Sequence, residues 1–146
     1  MPRILLLLLI CQIFVLTQFS YDREKFVLLF LGYNGFMVIL VGEKVTDEQI
    51  KLAGEDYFGE YIKIVVDVET GVMTIGGEWH ADGERQLLNT GCKQQNLWGG
   101  GLRLANKQID FNSLINTRPD INKSQEILDP RIREKFETLV KEKFGL

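Results

Sequence analysis

The stretch YIKIVVDVETGVMTIGGEW, residues 61–79, predicts an antiparallel β-hairpin. In its first half the side chains at 62, 64, 66 and 68 are all apolar and share one face, as on a strand that buries that face. Lys63, Val65 and Asp67 share the other face. Glu69-Thr70-Gly71 forms a tight turn, because glycine tolerates a positive φ. Residues 72–79 then form the return strand.

A helix precedes this hairpin. Thr46-Asp47-Glu48-Gln49 is a capping box, in which the side chains of the first and last residues each bond the backbone amide of the other. Apolar residues follow at helical spacing, at positions 50, 53, 57 and 58. We therefore expect Tyr57 and Phe58 to lie on the buried face, and Gly59 to end the helix in a left-handed conformation.

Two helices follow the hairpin. A short one is predicted for residues 82–89, with Asp82 as its N-cap. The last helix is marked more strongly, with Asp129 as N-cap, Pro130 in the first helical position and an apolar stripe through residues 132–144. Gly145 terminates it.

Two further strands complete the prediction. Residues 97–104 form the third strand, although its glycine triplet at 99–101 weakens it and suggests a bulge or a close backbone approach. Residues 109–117 alternate in polarity and form the fourth. Because the order of elements lacks regular βαβ alternation, we predict an α+β fold, with a mainly antiparallel sheet of about four strands and three helices packed on one face.

Composition narrows the class of protein. The 146 residues are 45% hydrophobic and 25% charged, as in one globular domain. Seventeen Lys and Arg against twenty Asp and Glu give a net charge of -3, so no global positive field exists to hold a polyanion. The basic residues of the last helix are interleaved with glutamates. We predict no nucleic-acid partner.

The first 36 residues differ from the rest and form an apolar extension, which leaves residues 37–146 as the single α+β domain. Residues 4–16 are almost purely apolar, and a second apolar run spans residues 26–41. Three interpretations remain open: translation starts at Met37, the segment is a signal peptide or membrane anchor, or it is a folded accessory segment. Contact with a membrane is expected only if residues 4–41 are retained and inserted.

His80 is the only histidine, and it stands between the acidic residues Glu78 and Asp82. An imidazole beside carboxylates has the proton affinity for acid–base catalysis near neutral pH, so these three residues are candidate catalytic groups. The segment equally fits a helix start in which Asp82 is the cap and His80 bonds locally. Carboxylates with one imidazole would suit a hard divalent ion, but we predict no metal site.

Arg118 is the fourth candidate catalytic residue. Its guanidinium could pair with a substrate carboxylate or phosphate, or form a structural ion pair with Glu78 or Asp82. Trp98 and Gly99 are candidate ligand-binding residues, because a ring beside glycines could give a ligand a flat platform. A tryptophan followed by glycines is more often a core residue beside a bulge.

The two cysteines, Cys11 and Cys92, are too few for a secreted disulfide scaffold of this size, so we expect a reducing, cytoplasmic compartment. Lys93 lies next to Cys92 and would lower its pKa. A thiol nucleophile is nevertheless poorly supported, since the chain has no second histidine. The glycine triplet lacks the Lys-Ser/Thr ending of a phosphate loop, and the cofactor is unknown.

Several segments, in the same order, resemble a small prokaryotic family catalogued as domain of unknown function 5674. They are YFGEYIKIVVD at 57–67, GEWHAD at 77–82, LWG at 97–99, INTRP at 115–119 and DP at 129–130. The resemblance covers about residues 37–146. The extension has no counterpart in the family pattern, and the glycine triplet departs from it. The resemblance implies a fold and a cytosolic setting, but no activity.

Three functional hypotheses follow. The first is a small cytosolic interaction or regulatory module without catalysis, since no triad, metal motif or cofactor loop is evident. The second is a hydrolase-like or lyase-like enzyme that uses Glu78, His80, Asp82 and Arg118. The third is a domain tethered to a membrane through residues 4–41.

Overall fold

The structure is a computed structural model that describes residues 28–31 and 36–146. Cys11 and the apolar run 4–16 lie outside the described residues, as do the signal-peptide and anchor interpretations that depend on that run. No helix within the described part of the chain is long and apolar enough to cross a membrane.

Within the described residues, six antiparallel strands form one sheet in the order β1-β2-β4-β3-β5-β6. They are β1 (Leu28–Leu31), β2 (Met37–Val41), β3 (Tyr61–Asp67), β4 (Met73–Gly76), β5 (Leu97–Arg103) and β6 (Ile109–Asp110). The α-helices in the described part of the chain are α1 (Asp47–Gly54), α2 (His80–Asn89) and α3 (Pro130–Phe144). The predicted α+β class and antiparallel sheet are confirmed.

The hairpin at the centre of the sheet is β3–β4. Its register pairs Ile64 with Ile75 and Val66 with Met73, and Gly71 takes the expected positive φ of 75° in the turn. The return strand ends at Gly76 rather than at residue 79. Gly76 has a φ of 82°, and a Cβ there would lie 2.5 Å from the carbonyl oxygen of Met37, so the chain leaves the sheet at this point.

Helix capping follows the local sequence closely. At α1 the Thr46 amide donates to Gln49 Oε1 at 2.9 Å, and the Gln49 amide donates to Thr46 Oγ1 at 3.2 Å. At α3 the side chain of Asp129 accepts from the Arg131 amide, and Gly145 ends the helix with a φ of 67°. Both predicted helix starts are confirmed.

The N-cap predicted for α2 is wrong by three residues, since it is Trp79 and not Asp82. The helix begins at His80, and Asp82 is its third residue instead of its N-cap. Asp82 Oδ2 accepts a hydrogen bond of 2.9 Å from the Trp79 amide, so the carboxylate reaches back over the first turn. The residue was identified correctly as a capping group, but it acts from inside the helix.

The helices lie on both faces of the sheet, rather than on one. Ala53 of α1 and Phe136 and Val140 of α3 pack with Ile39, Ile62 and Ile64 on the first face, which carries the main core. Because side chains alternate along a strand, Val65 lies on the second face, where Leu87 of α2 packs against it. Strand β3 is therefore covered on both sides.

Strand β5 contains the glycine triplet and is nevertheless regular. Its seven residues pair with β3 without interruption, from Leu97 opposite Asp67 to Arg103 opposite Tyr61. The expected bulge is absent over this strand, whereas the expected close approach is present. A Cβ at Gly100 would collide with the carbonyl oxygen of Asp110 and the ring of Phe136.

The predicted fourth strand, residues 109–117, is mostly not a strand. β6 covers only Ile109–Asp110, and Leu114–Asn116 form a 3₁₀ turn that begins at Ser113, whose side chain accepts from the Ile115 amide. Where a neighbouring strand would pair with β5, the buried carboxamide of Asn116 bonds the β5 backbone instead. It accepts from the Gly99 amide and donates to the Gly99 carbonyl, both at 2.8 Å.

Candidate functional site

His80 is fixed against the backbone of β5. Its Nε2 lies 2.8 Å from the carbonyl oxygen of Gly100. Because a carbonyl can only accept, Nε2 carries the hydrogen and the neutral ring keeps Nδ1 as an acceptor. Burial lowers the pKa of His80, the Lys63 charge lowers it further, and the hydrogen bond to Gly100 opposes both. The ring is therefore neutral at pH 7.

Two tyrosines bond to residues near this histidine. Tyr57 Oη donates to the carbonyl of Glu78 at 3.3 Å, and the Lys63 ammonium lies 3.6 Å from the centre of the Tyr57 ring. Tyr61 Oη donates to Asp110 Oδ1 at 3.3 Å. Burial, followed by the Asp110 charge, raises the pKa of Tyr61 far above its usual range, so this hydroxyl stays protonated.

The four candidate catalytic residues do not converge on one point. Asp82 caps α2 and lies 4.0 Å from Arg85 in an exposed ion pair. Since the chain is helical from His80 onward, the one-faced extended arrangement of Glu78, His80 and Asp82 does not exist. His80 is instead fixed by its hydrogen bond to Gly100, which leaves Nδ1 as an acceptor.

Arg118 lies at the other end of β5 and has a structural role. Its guanidinium donates to the Gln95 carbonyl at 2.9 Å and to the Leu97 carbonyl, and it stacks on the Trp98 ring with 4.4 Å to the ring centre. Burial lowers the pKa of Arg118. The side chain thus holds the segment that enters β5, rather than forming the predicted ion pair with Glu78 or Asp82.

Trp98 and Gly99 do not form an open platform. Trp98 is only 2% exposed and belongs to the main core. A Cβ at Gly99 would lie 2.6 Å from the side chain of Ser113, and one at Gly101 would collide with the Tyr61 phenol. The glycines therefore make room for side chains of the protein itself, which agrees with the core interpretation.

Cys92 is also less reactive than its neighbour Lys93 suggested. Burial and the buried carboxylate of Asp67 raise the pKa of the Cys92 thiol, although the Thr90 hydroxyl, 3.6 Å from the sulfur, opposes the shift. The predicted lowering by Lys93 is wrong. A thiol with a raised pKa is mostly protonated and is a poor nucleophile at pH 7.

Two exposed aromatic side chains, Phe58 and Trp79, flank the Tyr57–Glu78 hydrogen bond, and we call them the aromatic pair. Phe58 is 97% exposed and Trp79 is 58% exposed. The expectation that Phe58 is buried is wrong, because α1 ends at Gly54 and Phe58 adopts a left-handed conformation with a φ of 54°. Helical spacing did not predict this early end, and Gly59 as a stop signal was the only sequence cue near it.

With this geometry in place, the chain can be compared with known proteins. Residues 39–143 match a family described as protein of unknown function, DUF5674. The chain belongs to this family. The resemblance carried by the sequence segments is thereby confirmed, and the DUF5674 match includes every residue of the His80 site and the aromatic pair. No curated protein and no solved structure matches the chain.

A cavity lies elsewhere in this DUF5674 domain. Within residues 28–31 and 36–146, no group of three or more His, Cys, Asp or Glu side chains is placed to hold a metal ion. A cavity of about 260 Å³ lies beside the N-terminus of α3, between Glu69 and Asp129. The ion pair of Glu69 with Lys135, at 2.7 Å, belongs to its lining. His80 is not part of it.

Proposed function

We propose that this domain is an interaction module and that the aromatic pair, Phe58 and Trp79, is its contact surface. One observation carries the proposal. Phe58 is held in a left-handed conformation, which costs a non-glycine residue about 1–2 kcal/mol, while its ring is 97% exposed. Backbone hydrogen bonds of the turn hold this conformation, among them the one from the Gly59 amide to the Gly54 carbonyl at 2.8 Å. The ring contributes almost no burial to the fold, so its apolar surface is available to a partner.

The construction of this surface supports the same function. Phe58 follows the 3₁₀ turn Glu55–Tyr57, and Trp79 directly precedes α2. The hydrogen bond from Tyr57 Oη to the Glu78 carbonyl joins the two segments on which the aromatic pair stands. Rigid aromatic anchors lose little entropy on binding and are enriched among the residues that dominate interfaces. The partner expected for such anchors is a protein with an apolar groove.

The test is position-specific crosslinking with a matched control. A photoreactive phenylalanine analogue is placed at position 58 or 79, and in the control at Lys107, which is also exposed and also left-handed with a φ of 59°. A partner should crosslink at 58 and 79 but not at 107. Phe58→Ala should weaken its binding about tenfold or more, whereas Leu128→Ala, at an apolar side chain that is 56% exposed, should not. Equal capture at all three positions would reject the proposal.

A second candidate function is proton transfer by His80, and the hydrogen bond to Gly100 favours it. That bond leaves Nδ1 as the acceptor of a neutral ring, which is the state of a general base. A thermal-shift screen with nucleotides and small carboxylic acids tests this function, because a specific ligand raises the unfolding midpoint. Equal shifts for wild type and His80→Ala with every ligand would exclude a His80 site.

Two expectations from the sequence accompany these proposals. The prediction of a cytoplasmic setting rests on the small number of cysteines and on the resemblance to the family. The domain boundary at Met37 and the membrane tether both concern the extension, and both stay predictions.

A further inference from the structure

Among the described residues, β1 is the strand that covers the outer edge of β2. The Gly77 amide donates to the Met37 carbonyl at 2.9 Å on the β4 side of the strand. Because the backbone groups of successive strand residues point to opposite sides, those of Val38 and Leu40 point away from β4. There they meet β1, in a register that pairs Val38 with Phe30 and Leu40 with Leu28.

Without β1 this edge would be unprotected. β2 reads MVILV and contains no charge or proline, which are usual devices that keep a strand edge from pairing with another chain. The opposite edge of the sheet is different, since β6 is only two residues long. The family match begins at residue 39, so β1 lies outside the part of the chain that is common to the family.

We infer that the edge of β2 is a self-association site and that β1 is a cover supplied by the same chain. The occupant that fits the uncovered edge is β2 of a second copy. An antiparallel pair centred on Ile39 places Val38 opposite Leu40 of the other copy and Val41 opposite Met37. Both outward-pointing residues then exchange hydrogen bonds, no charges meet, and the interface is two-fold symmetric.

The intact cover keeps this association from occurring. β1 and β2 are separated by five residues, 32–36, and a short connection holds the covering strand at an effective concentration of about millimolar. A second copy at micromolar concentration cannot compete with it. Loss of β1 from the edge is therefore the event that would permit dimerisation.

Proline substitutions in β1 test whether loss of its hydrogen bonds to β2 permits dimerisation. Phe30 pairs with Val38, so its amide points toward β2, and Phe30→Pro removes that donor. The matched control is Leu29→Pro, because the amide of Leu29 points away from β2. In the full chain we expect Phe30→Pro to double the molar mass from 16.8 kDa in sedimentation equilibrium at micromolar concentration. Wild type and Leu29→Pro should stay monomeric.

Amide hydrogen exchange identifies the strand involved. The amides of Val38 and Leu40 should be protected at every concentration in the control, but only at high concentration in Phe30→Pro. Adding Leu40→Pro to Phe30→Pro removes an outward donor of β2 and should restore the monomer.

Three results would overturn the inference: a monomeric Phe30→Pro with its β3 amides still protected, a heterogeneous aggregate, or a dimer that persists after Leu40→Pro is added. If Phe30→Pro does not fold, Leu28→Pro removes the other inward amide, and the same outcomes decide.

Discussion

Replacing Phe58 by glycine should make this protein more stable and a weaker binder. The backbone of Phe58 has φ 54° and ψ 26°, in the left-handed region, which costs a residue with a side chain about 1–2 kcal/mol. Glycine avoids that strain but gives the unfolded chain more freedom, which costs about 0.5–1 kcal/mol. The ring is 97% exposed, so its removal loses little burial. The difference is a gain of about 0.5–1 kcal/mol in the free energy of unfolding.

Urea unfolding of the folded domain measures this difference, provided that the slope of the transition is unchanged. Lys107→Gly is the matched control, because Lys107 has a φ of 59° and should gain a similar amount without any effect on binding. A destabilised Phe58→Gly beside a stabilised Lys107→Gly would refute the reasoning. It would mean that the Phe58 ring contributes to the fold and is not simply exposed for a partner.

Three further predictions concern the sheet and the histidine. In urea titrations, Asn116→Ala should lower the free energy of unfolding by about 3–5 kcal/mol, because it leaves the buried Gly99 amide and several carbonyls without partners. The control Asn112→Ala, at an exposed position, should change this free energy little. Gly100→Ala should destabilise the domain by about 2–3 kcal/mol, because the new Cβ clashes with the Asp110 carbonyl. In contrast, a Cβ at Gly54 meets Leu104 at an ordinary contact distance of 3.4 Å. In thermal unfolding, Gly54→Ala should therefore stabilise α1 by up to about 1 kcal/mol. The pKa of His80 is lower in the folded state, so the unfolded chain binds a proton first as the pH falls. The free energy of unfolding should therefore decrease as the pH drops below the ordinary value of 6.5 toward the folded pKa. Urea titrations at pH 7.5 and 5.5 should show a smaller decrease for His80→Gln than for wild type.

Local signals predicted the elements whose causes are local. The capping box at Thr46 and the Asp129-Pro130 start needed only neighbouring residues, and both helices begin where those residues indicate. The alternation in β3 likewise determines which side chains share a face. The two-sided cover of β3 was harder to predict, because Val65 is one apolar residue on a face that its neighbours Lys63 and Asp67 made look polar.

The errors arose where distant residues decide the structure. The glycine triplet looks weak in isolation, but it is what allows Tyr61, Ser113 and Phe136 to approach β5. Arg118 looked like a ligand group because its backbone acceptors, the carbonyls of Gln95 and Leu97, lie more than twenty residues earlier in the chain. No spacing rule predicts such contacts. Phe58 differs, since a glycine next to it was the local warning that the helix would stop.

The Asn116 carboxamide, which bonds both backbone groups of Gly99, limits how this molecule can assemble. A backbone strand arriving at that edge of the sheet would have to displace a side chain that is already buried and hydrogen-bonded four times. The β5 backbone at Gly99 is therefore closed to strand addition, so copies that join through β2 cannot also pair at this position.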